Sequence, residues 1–212
     1  MTSEVSLKQG VIDMKRLFIV LVAIVAMCST ASAQNLGDLL KGAVTEIVDQ
    51  KTGGKATEYM MTGTWEYAAP GVRLESNNQL TSLAGNAVVT GIENKLQSAY
   101  SLVGIKPGSY KLTLNDDKTF SMVIGSRNLA GTYTYNNETH ALVLQFSTKL
   151  MKLSTLTGYA HINGDKLDVV FDCSKLVNFL SALGSKVSVL NGISQLVSKY
   201  DGVLVGFTFN RK

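Results

Sequence analysis

The sequence predicts a mainly β fold with helical insertions. It reads as an eight-stranded antiparallel up-and-down barrel with two long amphipathic helices, at about 79–103 and 174–198, and an N-terminal helix. Three observations predict this. Apolar and polar residues alternate with period two through most of 63–212, as half-buried strands require. Asn-, Asp- and Gly-rich turn signals join each alternating run to the next, so sequence neighbours pair. The period then changes to helical in two places only, each between strands.

The N-terminus has a different character. Lys15 and Arg16 precede the unbroken apolar run Leu17 to Met27, and Ala31-Ser32-Ala33 follows before Gln34. This is the anatomy of a secretory signal peptide, and the run is shorter than the roughly 20 residues a membrane-spanning helix needs. Residues 1–13 read as an upstream extension, 14–33 as the signal, 34–62 as an N-terminal helix and linker, and 63–212 as the barrel domain. The expected location is outside the cytoplasm, periplasmic or outer-membrane associated. Cleavage after Ala33 is favoured over acylation of Cys28, because Met27 fits poorly before a lipidated cysteine; membrane contact is expected only with that acylation.

Removing 1–33 takes away three bases and two acids, so the formal charge of +4 falls to +3. That mild balance, without a basic cluster, does not imply nucleic acid. Cys173 alone remains, so export here brings no internal disulfide.

Along the chain, Leu36, Leu39, Leu40, Ala43, Ile47 and Val48 recur at helical spacing over 35–50. Lys51 to Lys55 is a linker. Gly63 to Ala68 is the first strand, broken at Ala69-Pro70-Gly71, and Val72 to Glu75 extends it past the bend. Leu80, Leu83, Ala84, Ala87, Val88, Ile92, Leu96, Ala99, Tyr100 and Val103 mark the first long helix, ended by Ile105-Lys106-Pro107-Gly108. Tyr110-Leu112-Leu114 and Phe120-Met122-Ile124 alternate around an Asn115-to-Lys118 turn. A turn at 125–128, a strand from Leu129 to Tyr135, a turn at 136–139 and the Leu142-Leu144-Phe146 strand follow. Lys149 to Ser154 reads as a wide loop. Thr155 to Ile162 and the Leu167-Val169-Phe171 strand flank the primed turn Asn163-Gly164. Ser174 caps the second long helix, whose stripe is Leu176, Phe179, Leu180, Leu183, Val187, Leu190, Ile193 and Val197. Val203, Val205, Phe207 and Phe209 form the last strand. Closing eight such strands removes the exposed edges and leaves an interior for side chains or one small ligand.

Gly63-Thr64-Trp65 at the first strand, Leu129-Ala130-Gly131-Thr132-Tyr133 in a middle strand and a meander to the C-terminus resemble the lipocalin-like family, in particular small exported domains of Bacteroides-type bacteria. The resemblance spans 63–212. It implies a structural motif of Gly63, Trp65 and Arg211, in which the tryptophan closes the barrel floor and the arginine of the last strand packs across it. The long helix after the first strand, and a second helix before the last strand, depart from the family pattern and keep ligand residues from being carried over.

Little in the sequence points to chemistry. His140 and His161 lack metal-ligand spacing, so no metal and no cofactor are expected. No nucleophile elbow, P-loop or dinucleotide fingerprint is present, and no enzyme activity is expected. Cys173 reads as a small core residue beside a helix start. One candidate ligand-facing surface emerges: Trp65, Tyr67, Tyr110, Leu112, Phe120, Met122, Tyr133, Tyr135, Leu144, Phe146, Phe171 and Phe207 alternate in phase. An apolar lining with a few hydroxyls suits a small hydrophobic or amphipathic ligand. The same pattern suits a filled barrel acting as an envelope scaffold or protein-interaction module. Both readings stay open at the level of sequence.

Overall fold

Period-two alternation becomes eight strands in the computed structural model, which describes residues 48–49, 51–74, 83–150, 153–185, 187–199 and 202–212. We label them β1 (Gly63–Leu74), β2 (Tyr110–Leu114), β3 (Thr119–Ile124), β4 (Arg127–Tyr135), β5 (Ala141–Leu150), β6 (Leu153–Asn163), β7 (Lys166–Phe171) and β8 (Val203–Arg211). Each pairs antiparallel with the next, and β8 pairs with β1, so the barrel closes in sequence order. Four helices accompany it among the described residues: α1 (Lys55–Met60), α2 (Leu83–Leu102), α3 (Cys173–Ala182) and α4 (Val187–Val197).

An up-and-down barrel alternates its connections between two ends. The turns at 115–118, 136–140 and 164–165 therefore share one end, here called the floor, with α1. The helical insertions α2 and α3–α4 both leave from the other end, the mouth. Their apolar stripes, Ile92, Leu96, Ala99 and Tyr100 on α2 and Leu176, Phe179 and Leu180 on α3, join the barrel's own core cluster. The mouth is thus plugged by helix side chains.

Several elements differ from the sequence reading. The first strand is not broken at Ala69-Pro70-Gly71; β1 runs on to Leu74, with the register against β8 shifting between Tyr67 and Ala69. An extra residue there bends the strand without ending it, and a proline is tolerated beside a bulge because it need not donate to the ladder. The expected wide loop at 149–154 is tight, since Leu150 pairs with Leu153. Asn128 and Arg127 belong to β4, which leaves Gly125-Ser126 as the turn, with Ile124 facing Arg127. The single helix expected over 174–198 is two, parted around Gly184, whose φ of 92° lies in the left-handed region. The residue before α3 is Asp172 rather than Ser174, and its side chain makes no capping bond. Helix α1 falls where a linker ends. The helix expected at 35–50 lies outside the described residues apart from Val48 and Asp49, as do positions 79–82 of the first long helix.

Candidate functional site

The floor is built from the Gly-x-Trp motif upward. Trp65 pairs with Leu112 on β2 and with Arg211 on β8, so one ring spans three strands. It has no exposed surface, and its indole Nε1 donates to the Met61 carbonyl at 2.7 Å. The Arg211 guanidinium lies over the ring, 4.3 Å from the centroid. It also donates to the carbonyls of Thr62, at 3.1 Å, and Met60. Gly63 has φ 126°, and a Cβ there would come within 2.9 Å of the arginine Nη1. The glycine of the motif is therefore needed twice, for its backbone and for the space the arginine takes. These contacts carry α1 onto the floor, where Lys118 ties it to the β2–β3 turn through Glu58 at 2.9 Å.

Above the floor the inward side chains meet one another. Tyr67 stacks near Tyr110 and meets Phe207 and Phe209 edge-on, at centroid distances of 6.1–6.4 Å. Tyr110 meets Phe207 and Phe209 at 5.2 and 5.0 Å, and Phe120 meets Phe146 at 5.5 Å. Edge-to-face pairs of this kind favour a fixed packing. The helices add two rings from the mouth: Tyr100 lies 4.8 Å from Phe207, and Phe179 lies 6.3 Å from it.

The tyrosine hydroxyls find partners at the margins. Tyr67 donates to Gln97 of α2 at 3.1 Å, Tyr100 to the Gly206 carbonyl at 2.7 Å and Tyr133 to the Asn115 carbonyl at 2.8 Å. Burial holds the phenols of Tyr67, Tyr100 and Tyr110 well above their usual range, so they stay neutral donors.

A side chain lining a water-sized void keeps accessible surface. Here Trp65 and Phe207 keep 0%, Tyr67, Leu112, Met122, Tyr133 and Leu144 keep 1%, and Tyr110, Phe120 and Phe171 keep 2%. Phe146 keeps 7% and Tyr135 is half-buried at the floor rim. The expected lining residues do share the interior, and they fill it.

A polar cluster sits outside this core. Asp49 accepts from Thr57 N at 2.7 Å and Thr57 Oγ1 at 2.8 Å, and lies 3.6 Å from His140 Nδ1. The same nitrogen is 2.8 Å from the Tyr135 hydroxyl. The His140 and His161 rings lie 4.7 Å apart. Burial, then nearby Arg73 and His140, push His161 down to about 3, so it is neutral near neutral pH. Among the described residues, no group of three or more His, Cys, Asp or Glu gathers as a metal site would need. Cys173 is half-buried, and burial raises its thiol pKa rather than activating it.

A family description, lipocalin-like domain (DUF4923), matches residues 36–211. The chain belongs to that lipocalin-like family. One solved structure is similar to this lipocalin-like domain: a DUF4847 family protein from Bacteroides vulgatus, 11% identical, covering 73% of this chain and 96% of that one at a TM-score of 0.34. No curated protein matches the chain.

The ligand-facing list read from the sequence left out Tyr100, Phe179 and Phe209, which it placed only on the helix stripes and the last strand. The first two lie on the helix stripes and the third in phase with Phe207, so the signal was present. What was missing was the parity that sends both insertions to one end. The histidine pair had no sequence signal, because β5–β6 pairing alone joins residues 21 positions apart, with Ala160 N donating to His140 O at 3.0 Å.

Proposed function

We propose that this lipocalin-like domain is a non-enzymatic scaffold or protein-interaction module of the cell envelope whose barrel is filled by its own side chains. The observation that carries the reading is the interior itself. Ten of the twelve proposed lining residues are at most 2% exposed, Phe146 keeps 7% and Tyr135 is half-buried. Ligand pockets of comparable folds are cavities of about 300–1,000 Å³, which such a lining leaves no room for. The mouth route is occupied as well, by Tyr100 and Phe179 against Phe207.

The location is part of the proposal. A signal at 14–33 with cleavage after Ala33 delivers the barrel outside the cytoplasm, and amino-terminal sequencing of the secreted or periplasmic form should begin at Gln34.

Titration with a fluorescent fatty acid such as cis-parinaric acid tests the filled barrel. The expected result is no saturable emission change up to tens of micromolar probe. Saturable one-to-one binding, abolished by enlarging an interior residue such as Ala160→Phe in a variant that remains folded, would overturn the reading. The domain would then be a binder of small hydrophobic ligands.

A further inference from the structure

Outside the barrel, the floor holds a cleft of about 330 Å³ between α1 and the β2–β3 turn, lined by Lys55, Glu58, Tyr59, Thr62, Asp116 and Lys118. Helical spacing builds one side. Lys55 and Tyr59 fall at i and i+4, on one face of α1, and the Thr62 hydroxyl donates to the Tyr59 carbonyl at 3.4 Å where the helix ends. The rest of α1 is used to hold the helix down, through Thr57 on Asp49 and the Met61 carbonyl on the Trp65 indole. Turn chemistry builds the other side. Asp117 accepts from Thr119 N at 3.0 Å and from Thr119 Oγ1 at 2.6 Å, and Asn115 Nδ2 donates to the same hydroxyl at 2.9 Å. Asp117 therefore makes the turn, and its neighbour Asp116 lines the cleft. Lys118 is fixed as well, 2.9 Å from Glu58 and 5.4 Å from the centre of the Tyr133 ring. Both walls are set before any ligand arrives, which lowers the cost of binding one. Tyr59 keeps 85% of its surface. One exposed ring is ordinary on a protein surface, but this one shares a cleft with an unused cation and an unused carboxylate. Beyond the pull of Lys55 on Glu58, the side chains of Lys55, Tyr59 and Asp116 hold no hydrogen bond or ion pair among the described residues.

We propose that this cleft binds one pyranose ring of a neutral saccharide, stacked on Tyr59 and held at its hydroxyls by Asp116 and Lys55. The face of an aromatic ring is electron-rich and attracts the polarised C–H groups on the apolar face of a sugar. A carboxylate accepts from two neighbouring hydroxyls, and an ammonium donates to a third. The lining sets Lys55 and Lys118 against Glu58 and Asp116, so its formal charge is zero. Phosphate and other anions gain no net attraction there, and neither does a basic peptide. A fatty ligand needs a mostly apolar lining, whereas Tyr59 is the only apolar wall of this cleft. A hydroxyl-rich ring with one C–H face matches what the walls offer. The volume falls at the small end of ligand sites, as one or two sugar rings require. The cleft lies outside the barrel, so its occupancy does not depend on whether the interior is filled.

The test is saturation-transfer-difference NMR on the full chain with the methyl pyranosides of glucose, galactose and mannose, each titrated to about 50 mM, well above a millimolar dissociation constant. Transfer to at least one sugar is expected, strongest at the C–H protons of one ring face. Tyr59→Ala should weaken that sugar at least about tenfold, Tyr59→Phe should hold it within about twofold, and Asp116→Ala should weaken it at least about fivefold, as loss of a charged hydrogen-bond partner does. Tyr59 is exposed, so its replacement by alanine should leave the urea midpoint where it was, and the loss then reports on the cleft. A disaccharide of the responding sugar separates the sources: affinity equal to the monosaccharide's assigns a free sugar, and affinity at least about fivefold tighter assigns a chain. No transfer to any of the three sugars overturns the proposal. Transfer unchanged in Tyr59→Ala places the sugar elsewhere and overturns it too, as does displacement of the sugar by an equal concentration of inorganic phosphate. Parinaric acid titration of Tyr59→Ala should match the parent chain, so failure of the cleft and failure of the filled barrel are read apart.

Discussion

The two ends of the barrel are closed by different chemistry. At the floor, three short turns, a six-residue helix and one Trp–Arg pair do the work, and directional bonds dominate: an indole N–H, a guanidinium on two carbonyls, and a carboxylate on Thr57. At the mouth, three helices press apolar stripes into the core, and the polar contacts that reach the barrel interior include the hydroxyls of Tyr67 and Tyr100. The difference teaches that closure by hydrogen bonds needs only residues near strand ends, whereas closure by burial needs long insertions. It also separates what each end responds to. The floor borders titratable groups, while the mouth rests on area removed from water.

The largest test of that contrast is Trp65→Ala. It removes a fully buried ring and the Nε1 bond that holds Met61, and should cost about 3–5 kcal/mol in urea unfolding. A loss below about 1 kcal/mol, the level of an ordinary surface change, would mean that the floor does not depend on its tryptophan.

Acid comes next. His161 is held down to about 3, against an ordinary value near 6.5, so the unfolded chain takes up a proton that the folded barrel refuses. Stability attributable to this group is present above pH 6.5 and falls as pH drops toward 3. Between pH 7.5 and 5 the loss is about 2 kcal/mol. Asp168, raised chiefly by burial, has the opposite sign as its carboxyl titrates. The clean measurement is therefore the difference between the parent chain and His161→Asn across that range. Parallel curves would remove the histidine from the account.

At the mouth, Tyr100→Phe keeps the ring and deletes the donor to the Gly206 carbonyl, and should cost about 1–2 kcal/mol. That cost should be the same at pH 7.5 and pH 5, because the phenol stays neutral throughout. A pH-dependent cost would tie the mouth to the titrating groups of the floor.

Arg211→Ala is the smallest effect, about 0.5–2 kcal/mol, since the guanidinium is exposed although it covers Trp65. Combined with Trp65→Ala it should cost less than the sum, because the arginine loses its ring. Strict additivity would show that the pair is uncoupled.

Particular residues show how far the sequence reached. The alternation of Tyr110, Leu112 and Leu114 against Phe120, Met122 and Ile124 placed both strands and their shared inner face, because side-chain direction along a strand follows position alone. Pro70 misled, because a proline reads as a break unless the bulge beside it is known. Helix α1 was hidden by Gly53-Gly54; a Cβ on Gly54, at φ 79°, would fall 1.8 Å from the Asn137 carbonyl oxygen, a contact made by a turn over eighty residues away. The unbroken stripe from Leu176 to Val197 concealed the break at Gly184, since periodicity persists across a kink that keeps the same face inward.

By itself the sequence determined the strand order, the inner face and the Gly63–Trp65 motif, because each depends on spacing within one strand and its neighbours. Tertiary structure alone decided that Tyr100 and Phe179 reach Phe207, that His140 meets His161, and that the barrel is filled. An inward apolar face reads the same whether it lines a cavity or packs against its opposite wall. Only the distance across the barrel, and what the helices place in it, separates the two.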